Sequence, residues 1–231
     1  MARGTPVRVT RRITPGRRRA GGSGARLTCA VLAATPDEWV GVDLATGALV
    51  RSPAHGAGAF AGTQPLEVVE LELGEDDSVA DPARPEAVHL ATTPTPRGVL
   101  GGRRARRLLS SLAAPERAGA PLLGTWGPSV AYVDLDGGAP SVLVVALGKR
   151  AIALRSDRDN SPQVVLAWGD HPQRMPLRDP RVATAARSAS AELGGAALAA
   201  VLGFRPGYAV VALGAVERGH VPKAVLSLLP T

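Results

Sequence analysis

Short apolar runs alternate with turn residues along most of the chain, a pattern typical of antiparallel strands. The densest stretch, 122–168, contains four of these runs: Ser129–Leu135, Ser141–Leu147, Arg150–Arg155 and Gln163–Trp168. The first three are separated by Asp136-Gly137-Gly138 and Gly148-Lys149, whose glycines tolerate the positive φ of tight hairpin turns. We therefore predict an antiparallel meander here, and we expect the core to form around it.

Further apolar runs predict strands on both sides of this stretch. They are Leu27–Ala33, Glu38–Leu44, Ala48–Arg51, Leu66–Leu73, Ala87–Ala91, Tyr208–Val216 and Val221–Leu229. Acidic and apolar residues mix in Leu66–Leu73, so one face of that strand is expected to be buried and the other acidic.

Two segments have helical periodicity. Over Gly102–Ala114 the residues Ala105, Leu108, Leu109 and Leu112 share one face, and the arginines between them point away. A second helix is predicted from Pro180 to Leu202, after Asp179 as N-cap and with a weak point at Gly194-Gly195.

These elements predict a β-rich α+β protein: a mostly antiparallel sheet or small barrel with one or two packed helices. Residues 1–25 are predicted to be a disordered basic tail, since they are polar and rich in arginine and glycine. Residues 26–231 are predicted to form a single β-rich domain, with two subdomains, 26–100 and 101–231, as the alternative.

The excess positive charge belongs to the tail. Of the 27 basic residues, seven arginines lie in residues 1–24, which contain no acid, and the remaining 20 balance the 20 acidic residues. Arginine outnumbers lysine 25 to 2, a bias typical of a high-GC bacterial genome, which weakens any inference from a single arginine.

The only cysteine, Cys29, excludes an intramolecular disulfide and a cysteine-based zinc site, and it is predicted to be a small buried hydrophobe. No apolar run approaches the roughly 20 residues that span a bilayer. No secretory signal is evident at the N-terminus. We therefore expect a cytoplasmic protein without a membrane partner.

No catalytic constellation is recognisable. The four histidines lack metal-ligand spacing, so neither a metal nor a cofactor is predicted. Asp170 and His171 follow a predicted strand and are the least poor catalytic candidates, although a polar turn explains them better. Asp157 and Asp159 resemble the start of a calcium loop, but Pro162 and Trp168 stand where such a loop needs Gly and Glu.

Three functions remain open. The first is a non-catalytic binding or adaptor domain. The second is a weak, sequence-independent nucleic-acid binder that acts through basic residues: Arg17, Arg18, Arg19, Arg103, Arg104, Arg106 and Arg107. The alternative for the arginines at 103–107 is a solvated helix surface. The third is an enzyme with a dispersed loop site around Asp170 and His171, joined by Asp157 or Asp159.

The partner is not identified by the sequence; a protein or a second copy of the chain are both options. Small residues on one line of the helix predicted at 180–202 would permit close packing, either on its own sheet or against a second copy. They are Val182, Ala186, Ala189, Leu193, Ala196, Ala197 and Ala200.

Overall fold

A computed structural model of the chain describes residues 24–53, 62–74, 81–115, 119–135, 137–147, 152–155, 161–188 and 192–231. Strands account for 46% and helices for 19% of it, and one of the sheets curls into a half-barrel. The predicted β-rich α+β class is therefore confirmed. The predicted tail lies outside these ranges apart from its last two residues.

The strands, in chain order, are β1 (Arg26–Ala34), β2 (Glu38–Asp43), β3 (Leu49–Pro53), β4 (Glu67–Glu72), β5 (Thr95–Val99), β6 (Ser129–Ala131), β7 (Val142–Ala146), β8 (Ile152–Arg155), β9 (Pro162–Trp168), β10 (His171–Pro176), β11 (Leu193–Gly194), β12 (Pro206–Leu213) and β13 (His220–Pro230). They form three sheets with the orders β3-β2-β1-β4-β5, β10-β9-β8-β11 and β6-β13-β12-β7. Every pairing between these strands is antiparallel.

The first sheet begins with the three strands that the sequence predicts. The turn between β2 and β3 is held by the Asp43 carboxylate, which accepts hydrogen bonds from the Ala45 amide (3.0 Å) and the Thr46 hydroxyl. Gly47 supplies the positive φ of 73° that closes the turn. The edge strand β5 was not expected, because all five of its residues are exposed and it contains Pro96.

The predicted meander over 122–168 is wrong in its pairing. The apolar run at 141–147 forms β7, which pairs with β12, while β6 pairs with β13. Within the described part of that stretch, only β8 and β9 pair as neighbours, and β10 extends them. Adjacent hairpins were expected from the turn residues, but β7 instead buries both of its faces beside β12.

The α-helices of the described ranges are α1 (Gly102–Leu112), α2 (Pro180–Ser188) and α3 (Gly195–Leu202), and two 3-10 helices cover Leu122–Gly124 and Tyr132–Asp134. The single helix predicted over 180–202 is two helices: α2 ends at Ser188, β11 covers Leu193–Gly194, and α3 begins at Gly195, whose φ is 50°. The predicted continuous line of small residues is consequently wrong. Leu193 lies in β11, and α3 buries Leu198 while Ala196, Ala197 and Ala200 are exposed.

The third sheet is the middle layer of the protein. One face packs against the second sheet with α2 and α3, and the other packs against the first sheet with α1. Along β12 the side chains alternate between these two cores. Val211 faces the core shared with the second sheet, and Val210 and Ala212 face the core shared with the first sheet. Burial on both faces explains why β12 and β13 are almost continuously apolar.

Candidate binding surface on helix α1

Helix α1 is fixed to the body of the protein along one side and near both ends. Ala105 and Leu109 are buried in the core between the first and third sheets. Just before the helix, the Leu100 amide donates a 2.9 Å hydrogen bond to the carbonyl of Leu66. Just after it, the Ala114 amide donates a 2.8 Å hydrogen bond to the carbonyl of Val144 in β7. The direction of the outer side is therefore set by the core.

The outer side carries four arginines that we call the arginine face: Arg103, Arg104, Arg106 and Arg107. All four are exposed, as the helical periodicity predicts. Across the described ranges, no ion pair or side-chain hydrogen bond involves any of them, whereas the surface arginines Arg97 and Arg178 bind Glu70 and Asp37.

The arginine face opposes the electrostatics of its own helix. The N-terminus of a helix carries a partial positive charge, which disfavours cations nearby. In α1 the first turn contains no acidic residue, and Gly101 gives no side-chain cap. Arginines at spacings of three and four, such as Arg103 with Arg106 and Arg107, also repel each other. Helix stability alone would not favour this arrangement.

Strand β4, the acidic strand that precedes α1 in the sequence, forms ion pairs with arginines other than those of α1. Glu70 of β4 binds Arg97 (2.7 Å) and lies 3.6 Å from the guanidinium of Arg26. Glu67 accepts a 2.8 Å hydrogen bond from the Gln64 amide. The acidic face predicted for 66–73 is therefore partly neutralised within the first sheet.

Asp170 and His171 lie together at the turn between β9 and β10, and both are exposed. The His171 ring packs against the Trp126 ring, with centroids 4.3 Å apart and planes tilted by 52°. In the described part of the chain, no hydrogen bond or ion pair joins His171 to a carboxylate. Asp157, Asp159, Arg17, Arg18 and Arg19 lie outside the described residues, so the predictions for them stay predictions.

A buried lysine beside this turn was missed by the sequence reasoning. Lys223 is fully buried in β13, and its ammonium donates to the Thr125 carbonyl (3.0 Å) and the Gln173 Oε1 (2.9 Å). Burial lowers the pKa of Lys223 from 10.5 to about 8. The available signal was a lysine in the apolar run 221–229, but its two partners are distant in sequence.

Two other buried polar networks connect the layers. The Arg51 guanidinium bonds to Glu38, the Ser141 hydroxyl and the carbonyl of Leu213, which joins the first sheet to the third. The Asp179 carboxylate binds Arg181 and accepts the Leu228 amide at 2.8 Å, which attaches the start of α2 to β13. A cleft of about 50 Å³ opens beside Asp179 and Arg181. The charged groups of both networks therefore already have hydrogen-bond partners within the fold.

Neither a metal centre nor a membrane span is found in the described ranges. No group of three histidine, cysteine or acidic side chains there could hold a metal ion. Of the helices described, none has both the length and the apolar character needed to cross a bilayer. Comparison with protein-family models, curated proteins and solved structures finds no match for this chain.

Proposed function

We propose that this protein is a non-catalytic binding domain whose arginine face on α1 contacts a partner rich in negative charge. The observation that carries the proposal is four exposed arginines, without an acceptor in the described chain, on a helix that the core holds in place. A fixed direction reduces the entropy that the surface loses when a partner binds.

The electrostatic cost of the arginine face supports a role in binding over simple solvation. Cations in the first turn of a helix, here Arg103 and Arg104, each cost about 0.3–1 kcal/mol at low ionic strength. An acidic partner would remove this cost and the repulsion among the arginines, so the same arrangement that weakens the free helix strengthens the complex.

The enzyme alternative has less support. Its candidates Asp170 and His171 are exposed, and the contact recorded for the His171 ring is with Trp126. An activated nucleophile needs a base within hydrogen-bond reach, which a third group in turn orients, and the described contacts of His171 include neither.

The test is retention of the full chain on a heparin column. The variant R103Q/R104Q/R106Q/R107Q is compared with R174Q/R187Q/R205Q/R218Q, which removes the same charge from exposed arginines elsewhere. We expect the first variant to elute at clearly lower salt than the second. Equal elution of the two variants would show that the arginine face is not a contact surface.

We also propose a cytoplasmic location, supported by Cys29. Its thiol is free and fully buried in β1, and burial beside Asp43 raises its pKa to about 12. Such a thiol is poorly reactive, and a single free cysteine is compatible with the reducing environment of the cytoplasm. Fractionation of cells that express the chain would test the location, and recovery in an extracytoplasmic fraction would contradict it.

A further inference from the structure

We infer that the partner of the arginine face is the phosphate backbone of a nucleic-acid duplex. This inference rests on the proposed function and specifies the chemistry of the partner. It uses the density of charge on α1, the side chains that α1 lacks and the electrostatics of its neighbours.

The density of positive charge matches that of a duplex. The arginine face spans residues 103–107, which occupy about 6 Å of the helix axis at about 1.5 Å per residue. Duplex DNA carries one negative charge per about 1.7 Å of its axis, so about four phosphates of its two strands fall within the same length. Along one strand the spacing is about 3.4 Å, which is still closer than the ~6.6 Å between side chains on one face of an extended acidic peptide.

Arginine also suits phosphate chemically. Its planar guanidinium can donate two parallel hydrogen bonds to phosphate oxygens, and it is less strongly hydrated than an ammonium. Because all four positions are arginine, each can bind a phosphate oxygen as well as neutralise its charge.

The residues of α1 favour a duplex over single strands. Proteins that bind single strands without sequence preference combine basic grooves with aromatic side chains on which bases stack. The α1 sequence, GRRARRLLSSL, contains no aromatic residue. Contact through α1 is therefore limited to the backbone, which a duplex displays at higher charge density.

The acidic strand β4 offsets this charge only in part. Glu70 is held between Arg26 and Arg97, so its carboxylate is compensated within the first sheet. Both of these arginines are exposed, and together with Glu67, Glu70 and Glu72 of β4 they leave one net negative charge on this part of the sheet.

The experiment measures binding of the full chain to a fluorescent 20-base-pair duplex DNA of arbitrary sequence, by anisotropy across a salt series. The slope of log K against log salt is negative. If all four arginines contact phosphates, R103Q/R104Q/R106Q/R107Q should reduce the magnitude of this slope by about 3 to 4. The charge-matched control R174Q/R187Q/R205Q/R218Q should change it far less. Circular dichroism confirms that each variant is folded.

Two further arms separate the explanations. The conservative variant R103K/R104K/R106K/R107K should keep most of the slope, because charge alone releases counterions. Polyglutamate of equal charge should bind the wild type at least tenfold more weakly than the duplex does.

Three results would overturn the inference: an unchanged slope in the glutamine variant of α1, a slope lost only in R17Q/R18Q/R19Q, or polyglutamate binding as tight as duplex binding. If polyglutamate binds as tightly as the duplex while heparin retention still depends on the arginine face, the proposed binding function stands and only the assignment of a nucleic-acid partner is rejected. Loss of the heparin dependence would remove both.

Discussion

Arg51 and Glu38 form an ion pair across β2 and β3 in a region closed to water, where their side chains are 1% and 7% exposed. The same guanidinium bonds to the Ser141 hydroxyl and the Leu213 carbonyl, so one side chain connects two sheets. We expect R51M to lower the free energy of unfolding by about 3–5 kcal/mol, because it leaves the Glu38 carboxylate buried without its partner.

The exposed pair of Arg178 and Asp37 is the control for this measurement. Its side chains are 41% and 65% exposed, so water screens the interaction. R178M should cost less than about 1 kcal/mol in the same urea titration. If R51M costs no more than R178M, the buried network does not hold the sheets together.

Lys223 makes stability depend on pH in the alkaline range. Below pH 8 the lysine is protonated in both states, so the cost of burying its ammonium is fully present. Between pH 8 and 10.5 the unfolded state binds more protons than the folded state, and stability therefore rises with pH.

The variant K223M isolates this effect. Cys29 acts in the opposite direction, since its pKa rises from 9.0 to about 12 on folding and stability falls as pH rises between those values. Because this change is common to both proteins, the wild type should gain about 3 kcal/mol relative to K223M between pH 7.5 and 10.5. A constant difference across urea titrations over that range would contradict the buried ammonium.

The arginine face should lower the free energy of unfolding of the isolated protein relative to variants with acidic residues at the start of α1. We expect R103E/R104E to raise the free energy of unfolding by about 0.5–2 kcal/mol at low salt, because acids favour a helix N-terminus. The effect should shrink in high salt. Thermal denaturation at two salt concentrations would measure it.

Arg187 provides a control of opposite sign. It lies in the last turn of α2, where a cation is favourable, so R187E should destabilise the protein under the same conditions. If R103E/R104E also lowers the melting temperature, α1 contributes contacts through these arginines that the structure does not contain.

Deleting residues 1–23 should leave the free energy of unfolding unchanged. The described pairings of β1 are with β2 and β4 and begin at Arg26. Deletion removes seven arginines, so duplex binding at low salt should weaken, while the difference between wild-type and glutamine-substituted α1 persists. A deletion protein that melts at a lower temperature would show that the segment packs on the body.

The sequence predicts the positions of strands better than their partners. The run at 141–147 was correctly expected to be a strand, but its partner is the segment 208–212, which no local pattern identifies. Turn residues predict pairing only between strands that are adjacent in the sequence. A strand whose true partner is distant in the sequence is therefore wrongly predicted to form a hairpin with its neighbour. β5 escaped prediction because an exposed edge strand has no apolar alternation.

The same distinction applies to the site. The arginine face follows from the helical period alone, and all four of its residues could be named in advance. Lys223, Gln173 and Thr125 meet only after three separate segments have folded together. A lysine inside an apolar run was the sole local sign of this contact, and its acceptors could not be deduced.

The layered arrangement also governs the order in which the chain can fold. β12 and β13 supply the central strands of the middle layer, yet they follow every other described strand in the sequence. A nascent chain that has emerged only as far as residue 205 therefore has two outer sheets whose apolar sides have no counterpart. Exposed apolar surface of this kind promotes aggregation, so we expect the chain to complete its core only after the last two strands have left the ribosome.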